Sequence, residues 1–385
     1  MSKYRILSLD GGGSWSVFQV MALQSLYGDK ERGHDVLKRF DLVAANGGGS
    51  VILAGLAMNM TLQETLERFF LDPTNRTTIF GATRGGWPWQ ARWIIRLEAL
   101  KTVLGKPHEH TLGILFGIVK AHVGVSPVFL ICAFDCDRRR PEFFRSNLSS
   151  ASASSTGSWD PSLAEVIHAS VTSPVQNSDA LVTINGTRFC DGTPAGLYNP
   201  VLAAVTEARA NRWEAKDIQV LSIGSGTIER PVLARKKKKE RPEVLDDIAK
   251  RAFDDPPCAT TYMAHVALGQ DVPTPANPPP ISNGSIVRLS PVIRHPADPT
   301  GIGGDQLVSL ARINRCAFDE KDIEIVKRYG QLWIGGAVKN EAIRANREFV
   351  CEIGHDRFPA ARDAWWKLVG QAPTAKAEGA PTVAA

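Results

Sequence analysis

The sequence predicts an α/β protein with three layers, α/β/α, around a mainly parallel central sheet. Three observations carry that expectation. Short apolar-rich segments end in glycine clusters and lead into stretches with apolar residues at helical spacing, and this strand, glycine turn, helix unit recurs. The strand segments are near-continuous apolar runs, as in strands buried on both faces. The chain has 385 residues, 43% of them hydrophobic and 22% charged. That is ordinary globular usage, and long enough to bury a core without a disulfide or metal staple.

The elements follow in order. Tyr4 to Leu9 is short and apolar-rich and predicts a buried parallel strand. Gly11-Gly12-Gly13 is a turn, because no strand or helix interior tolerates three glycines cheaply. Val17 to Leu26 carries helical spacing. Phe40 to Ala45 predicts a second strand, Asn46 to Gly49 a second glycine turn, and Val51 to Met60 a second apolar helix. Thr61 followed by Glu64 is a capping box that starts the helix reaching Phe70. The apolar run from Leu112 to Phe134 has membrane-span length, but Lys120, His122 and Pro127 interrupt it. It predicts a buried helix followed by a core strand from Pro127. Arg138-Arg139-Arg140-Pro141 predicts a hairpin turn, with Phe143 and Phe144 in the next strand. Ser149 to Ser158 is a surface loop and Pro161 to Ser170 a helix. Ile218 to Ile223 is a late strand ending in Gly224-Ser225-Gly226. Lys236 to Lys239 form a basic run, Asn277 to Pro280 a proline-rich loop, and Glu320 to Arg347 a mostly helical stretch. Gly370 to Ala385 has little to bury and is expected to be disordered.

Charge and cysteines exclude several functions. A net charge of +5, from 45 basic and 40 acidic residues, is too mild to argue for DNA or RNA. The cysteines (Cys132, Cys136, Cys190, Cys258, Cys316 and Cys351) are too sparse for a disulfide scaffold. None forms a Cys-x-x-Cys pair, so no metal site is expected. Asp135-Cys136-Asp137 lacks a third ligand and predicts a strand-end turn. The N-terminal residues carry no signal-peptide pattern, which predicts a reducing, cytoplasmic protein.

Three glycine turns after three strands place three loops at the carboxyl edge of one sheet, where open α/β sheets bind ligands. Asp10-Gly11-Gly12-Gly13 offers successive backbone N–H groups at a helix N-terminus, which suits a phosphate or an oxyanion; a simple tight turn would use the same glycines. It is no nucleotide fingerprint, since Ser16 stands where a further glycine is needed. The second turn sits where a Gly-x-Ser-x-Gly nucleophile elbow would sit, between strand and helix. Its residues are Ala45-Asn46-Gly47-Gly48-Gly49, with glycine at the centre.

Several segments in this order resemble the patatin-like phospholipase family. Ile6-Leu-Ser-Leu-Asp-Gly-Gly-Gly13 is similar to its oxyanion loop, and Phe40-Asp-Leu-Val-Ala-Ala-Asn-Gly-Gly-Gly49 to its nucleophile elbow. His168-Ala-Ser-Val-Thr-Ser-Pro174 resembles the helix and turn before the catalytic aspartate. Phe189-Cys-Asp-Gly-Thr-Pro-Ala-Gly-Leu-Tyr-Asn-Pro200 resembles the Asp-Gly motif with its trailing Asn-Pro. Leu221-Ser-Ile-Gly-Ser-Gly-Thr227 resembles the late strand and turn. The resemblance runs from Arg5 to about Thr227. It implies the patatin-like fold and hydrolysis of glycerophospholipid acyl esters by a Ser-Asp dyad, with no cofactor. Asp191 matches the general base, Gly47 the nucleophile position, and Gly11, Gly12 and Gly13 the oxyanion hole. Ala45, Asn46, Gly48 and Gly49 frame the elbow. The dyad needs no histidine, and His168 is expected to be structural.

Two departures stand out. Trp15 replaces the family's Arg or Lys after the glycine loop; it either meets an acyl chain or membrane or is an ordinary packing aromatic. Gly47 has no side chain, and Ser50 lies about one helical turn too far on to substitute. A natural pseudoenzyme would show this glycine. So would a Ser→Gly substitution that disables a complete site, and the intact surroundings favour the substitution. The alternative function is a non-catalytic ligand-binding or signalling protein.

The expected partners are membrane phospholipid and, with the room left after Thr227, a cyclic oligonucleotide activator of the kind used by bacterial anti-phage patatin-like effectors; homo-oligomers fit the same picture. The lysine run would serve an anionic membrane surface, or form a solvated loop. Trp87, Trp89 and Trp93, with Arg84 and Arg92, would form a lid, an interfacial patch or core. Because elbow and base must meet, one body is expected over 1–369, with core motifs in 5–227, a C-terminal helical portion over 228–369 and a tail over 370–385.

Overall fold

A computed structural model describes residues 3–81, 92–147, 160–173, 181–229, 258–270, 285–294, 320–341, 343–344 and 352–370. The serine-rich loop at 149–158, Arg84, Trp87, Trp89, the lysine run at 236–239, the proline-rich loop at 277–280 and the tail from 371 lie outside the described residues.

The first half alternates as its sequence pattern dictates. β1 (Tyr4–Leu9) leads through a short 3-10 turn, Gly13–Ser16, into α1 (Val17–Tyr27). After α2 (Gly33–Leu37), β2 (Leu42–Ala45) turns at Asn46-Gly47 into α3 (Gly48–Ala57), whose residues are all buried. α4 (Leu62–Leu66) starts at Thr61. The Thr61 hydroxyl accepts from the Glu64 N–H while the Glu64 carboxylate accepts from the Thr61 N–H. α5 (Pro73–Phe80), α6 (Arg92–Leu104) and α7 (Leu112–Val123) follow, then β3 (Val128–Asp135) and β4 (Arg140–Arg145).

Next come α8 (Leu163–Val171), β5 (Val182–Ile184), β6 (Thr187–Asp191), α9 (Val201–Ala210) and β7 (Ile218–Ile223). β8 (Thr227–Glu229), α10 (Cys258–Ala267), β9 (Ile286–Leu289), β10 (Val292–Arg294), α11 (Glu320–Ile334) and α12 (Phe358–Val369) complete the described elements used below.

Among the described residues the central sheet has eight strands in the order β5-β6-β3-β2-β1-β7-β9, with β4 also on β3. β3, β2, β1, β7 and β9 run parallel. Strand alternation divides the core. Leu7, Leu9, Val43, Ala45, Phe129, Ile131, Leu221 and Ile223 face the larger cluster, which includes side chains of α1, α3, α8, α11 and α12. Ile6, Leu42, Ala44, Leu130 and Val220 face the smaller one, closed by Val201, Ala204, Val205 and Ala208 of α9 and Ala264 of α10. Both faces are covered, which explains why these strands carry continuous apolar runs.

Three local expectations are corrected. α7 is amphipathic rather than buried: Leu112, Leu115 and Val119 pack inward, while Ile114 and Ile118 are 49% and 40% exposed. The helical stretch from Glu320 ends at Ile334, because Gly335 and Gly336 (φ 81°) break it, and a strand pair holds Ile343–Arg344. The β3–β4 turn lies at residues 136–139, so Arg140 and Pro141 already belong to β4, where proline is tolerated at a sheet edge. Among the described residues no helix is long and apolar enough to cross a membrane.

Candidate active site

The site is built where two strands end against the same edge of β3. β4 runs along one edge of β3 from Leu130 to Asp135. On the other edge β2 pairs over Val128–Ile131 and antiparallel β6 over Ala133–Asp135. β2 and β6 therefore approach each other head-on. Ala45 opposes Ile131 and Asp191 opposes Ala133, so the elbow and the aspartate, far apart in sequence, are neighbours.

Hydrogen bonds lock this meeting. The Gly192 N–H donates to the Asn46 side-chain oxygen at 3.1 Å, joining the two loops. The Gly47 N–H donates to the Ser170 hydroxyl at 2.9 Å, and that hydroxyl donates to the Cys132 carbonyl at 2.9 Å. The helix before the aspartate thus holds the elbow as well.

Gly47 has φ 50° and ψ −122°, a region that strains any residue bearing a Cβ. This is the backbone of a strand-to-helix elbow that lifts its central side chain out of the sheet. A Cβ built there meets the Gly11 Cα at 3.2 Å and the Gly12 nitrogen at 3.7 Å. A side chain at 47 therefore points at the glycine loop. Gly49 permits the approach: a Cβ on it would meet the Leu9 carbonyl oxygen at 2.5 Å.

Gly11, Gly12, Gly13, Asn46, Gly47, Gly48, Phe80, Val171, Ser173, Asp191, Thr193 and Tyr198 line one open cleft. Ala45 and Gly49 lie just behind it, buried in the strand and helix flanking the turn. One detail of the glycine loop is corrected. The Gly11 N–H donates to the Tyr198 carbonyl at 2.7 Å, so it is committed to the scaffold. Gly12, Gly13 and, from the elbow, Gly48 remain as the N–H groups at the cleft.

Asp191 is 8% exposed. Burial pushes its carboxyl up to about 7, against the pull of the Thr193 N–H, which donates to Oδ1 at 3.0 Å. A carboxylate poised there can take and return a proton near neutral pH. His168 is buried in α8, and burial holds it well below the ordinary imidazole value, with the Arg96 charge adding to this. It does not line the cleft.

Trp15 is fully buried in the larger core, edge-on to Phe18 at 6.2 Å, so the reading in which it meets acyl chain or membrane is overturned. No cation follows the loop in sequence, yet one reaches it from β9. Arg288 spans Asp10 with two contacts, Nη1 to Oδ1 at 2.9 Å and Nη2 to Oδ2 at 2.6 Å. It also donates to the Ser222 hydroxyl and the Glu341 carboxylate. Burial opposes its charge, but Asp10 and Glu341 outweigh that and hold it protonated. Sequence reading missed Arg288, since an isolated arginine in Ile-Val-Arg-Leu carries no signal for its partner. Asp135 and Asp137 also have structural work. Asp135 caps its turn by accepting from the Asp137 and Arg138 N–H groups, and Asp137 pairs with Arg188.

The sequence profile of the patatin-like phospholipases matches residues 7–205, more than half of the chain. The chain belongs to the patatin-like phospholipase family. An intracellular phospholipase A2 of Caenorhabditis elegans is 37% identical over 71 residues, which is 18% of this chain and 6% of that protein. Among solved structures, VipD from Legionella pneumophila is similar with a TM-score of 0.43 and 9% identity, over 86% of this chain and 67% of that one. The type III effector ExoU gives a TM-score of 0.27 and 12% identity, over 85% and 53%. This patatin-like chain thus spans only a small part of its phospholipase A2 relative. The family supports a lipid ester hydrolase, and its matched residues end before β7, β9 and Arg288.

Proposed function

We propose that this scaffold hydrolyses acyl esters of membrane glycerophospholipids through a Ser-Asp dyad, and that Gly47 marks the position of the missing serine. The observation that carries the reading is the strained backbone of Gly47 at the cleft that also holds Asp191. A serine at 47 would attack the ester carbonyl carbon while the Asp191 carboxylate accepts its hydroxyl proton. The oxyanion would be held by the N–H groups of Gly12, Gly13 and Gly48, the largest single contribution in many acyl transfers. Asp191 would then protonate the departing alcohol. Water, deprotonated by the same carboxylate, would attack the acyl-serine and release the fatty acid.

Glycine at 47 leaves only the donors and the base. Analogous serine hydrolases then retain about 10³-fold over water, too little for turnover. The test is Gly47→Ser, assayed on a nitrophenyl ester and for fatty-acid release from phosphatidylglycerol vesicles. Hydrolysis is expected from this variant, and none from the parent or from Gly47→Ser/Asp191→Asn. A folded serine variant that releases no acid would overturn the proposal and favour a ligand-binding role.

A further inference from the structure

Outside the chemistry above, two thiols meet at the end of β6. Cys136 is the first residue of the β3–β4 turn and Cys190 directly precedes Asp191. Their sulfurs are 3.5 Å apart. The sheet enforces the approach. Phe134 opposes Cys190, and the Cys136 N–H donates to the Arg188 carbonyl at 2.8 Å, which puts both side chains on the same face at a diagonal. The Arg188–Asp137 ion pair and the bond from the Arg188 N–H to Asp137 clamp the turn onto β6. Cys190 is 2% exposed, whereas Cys136 is half-buried.

The two thiols differ as an attacking and a resolving cysteine should. The hydrogen bond with Cys190 holds the Cys136 thiol below its ordinary value, with help from Arg188 and against burial and Asp137. The same contact, burial and the Asp191 charge push Cys190 up. Cys136 is thus the more accessible sulfur and the one whose ionisation is favoured, and the thiolate is the reactive form. Among the described residues no third metal-ligating side chain joins the pair.

We propose that Cys136 and Cys190 are an oxidisable dithiol beside the catalytic base, closed to a disulfide by a peroxide. The Cys136 thiolate attacks one peroxide oxygen, the O–O bond breaks, and Cys136 becomes a sulfenic acid with loss of hydroxide. The Cys190 sulfur then attacks the Cys136 sulfur. The S–S bond forms, the S–O bond breaks, and the hydroxyl leaves as water with the Cys190 proton. Two thiols lose two electrons and the peroxide is reduced to two waters. Closure from 3.5 Å to a bond of about 2.05 Å draws the turn and the end of β6 together.

The reduced full-length protein, treated with a few equivalents of hydrogen peroxide, alkylated and digested, tests this. A peptide joining Cys136 to Cys190, about 2 Da lighter than its separate parts and split by dithiothreitol, is expected. In Cys190→Ala, Cys136 should instead accumulate as a sulfenic acid trapped by a 1,3-dione. Both cysteines still alkylated, or Cys136 driven to sulfinic acid without a cross-link, would overturn the proposal.

The consequence for the site rests on the hydrolase reading. Closing the bond pulls the end of β6 toward the turn and moves Asp191. Peroxide should then cut ester hydrolysis by Gly47→Ser several-fold, reversibly, and leave Gly47→Ser/Cys136→Ser unchanged. A cross-linked serine variant with undiminished turnover would sever the dithiol from the base. A serine variant inactive even when reduced would refute the hydrolase reading instead, with the cross-link still decided by mass.

Discussion

On the proposed hydrolase reading, Gly47 stands where the nucleophile would be, in a backbone conformation that suits a residue without a Cβ. Its backbone lies at φ 50° and ψ −122°, and a Cβ there presses on the Gly11 Cα at 3.2 Å. Gly47→Ser is therefore expected to lose about 1–3 kcal/mol of stability while it gains activity, checked by urea unfolding beside the ester assay. Asp191 sets the pH dependence. Its carboxyl is raised from 3.8 to about 7, so the folded state holds the proton more tightly than the unfolded chain. Its contribution to stability is full below about pH 4 and is lost as pH rises through about 7. Asp191→Asn should thus be more stable than the parent by about 4 kcal/mol at pH 8, with little difference near pH 4, as read by melting temperature. Hydrolysis by Gly47→Ser should rise with pH through about 7, because only the carboxylate can accept the serine proton. A flat profile across that range would remove Asp191 from the base role.

At the scale of elements, the site is a meeting of strand ends held by partners from elsewhere. Asn46 ties the elbow to Gly192 and Ser170 of α8 ties it to β3. Arg288 of β9 anchors Asp10, the first residue of the glycine loop, with both groups buried. Removing one partner of a buried pair leaves an uncompensated charge, so Arg288→Met should destabilise the protein by about 3–5 kcal/mol in urea unfolding. The cap of α8 offers a smaller, separate test. Ser162 and Glu165 form a reciprocal box, and Ser162→Ala should cost about 1 kcal/mol with the cleft unchanged. The Thr61 box is plain in the sequence because its residues are three apart. The Arg288 anchor is not, because its partner lies 278 positions away.

At the scale of the molecule, the family match stops at residue 205 but the sheet does not. β7 sits beside β1 and β9 beside β7, and Trp333 of α11 and Trp365 of α12 are buried in the same core as Leu7 and Phe18. A fragment ending at residue 229 would keep the elbow and Asp191 yet expose Ile223 and Leu221 along a bare edge and lose the Asp10 anchor. It is expected to show no cooperative thermal unfolding by circular dichroism, where the full chain shows one.

Periodicity and glycine placement determine the α/β class, the order of strand, turn and helix, and which turns can carry chemistry. Those signals are local: apolar runs demand burial on both faces, and glycine clusters demand a turn. The resemblance to the patatin-like family also points to Gly47 and Asp191 as the site candidates. Tertiary structure alone decides that β2 and β6 end against one edge of β3, that the Gly11 N–H is spent on Tyr198 while Gly12 and Gly13 stay at the cleft, and that Trp15 packs inward. It also decides that a distant arginine holds Asp10 and that Cys136 meets Cys190. The reason is common to all of them. Each depends on which strand lies beside which, and pairing across long stretches of chain is fixed by the closed core, not by any local run of residues.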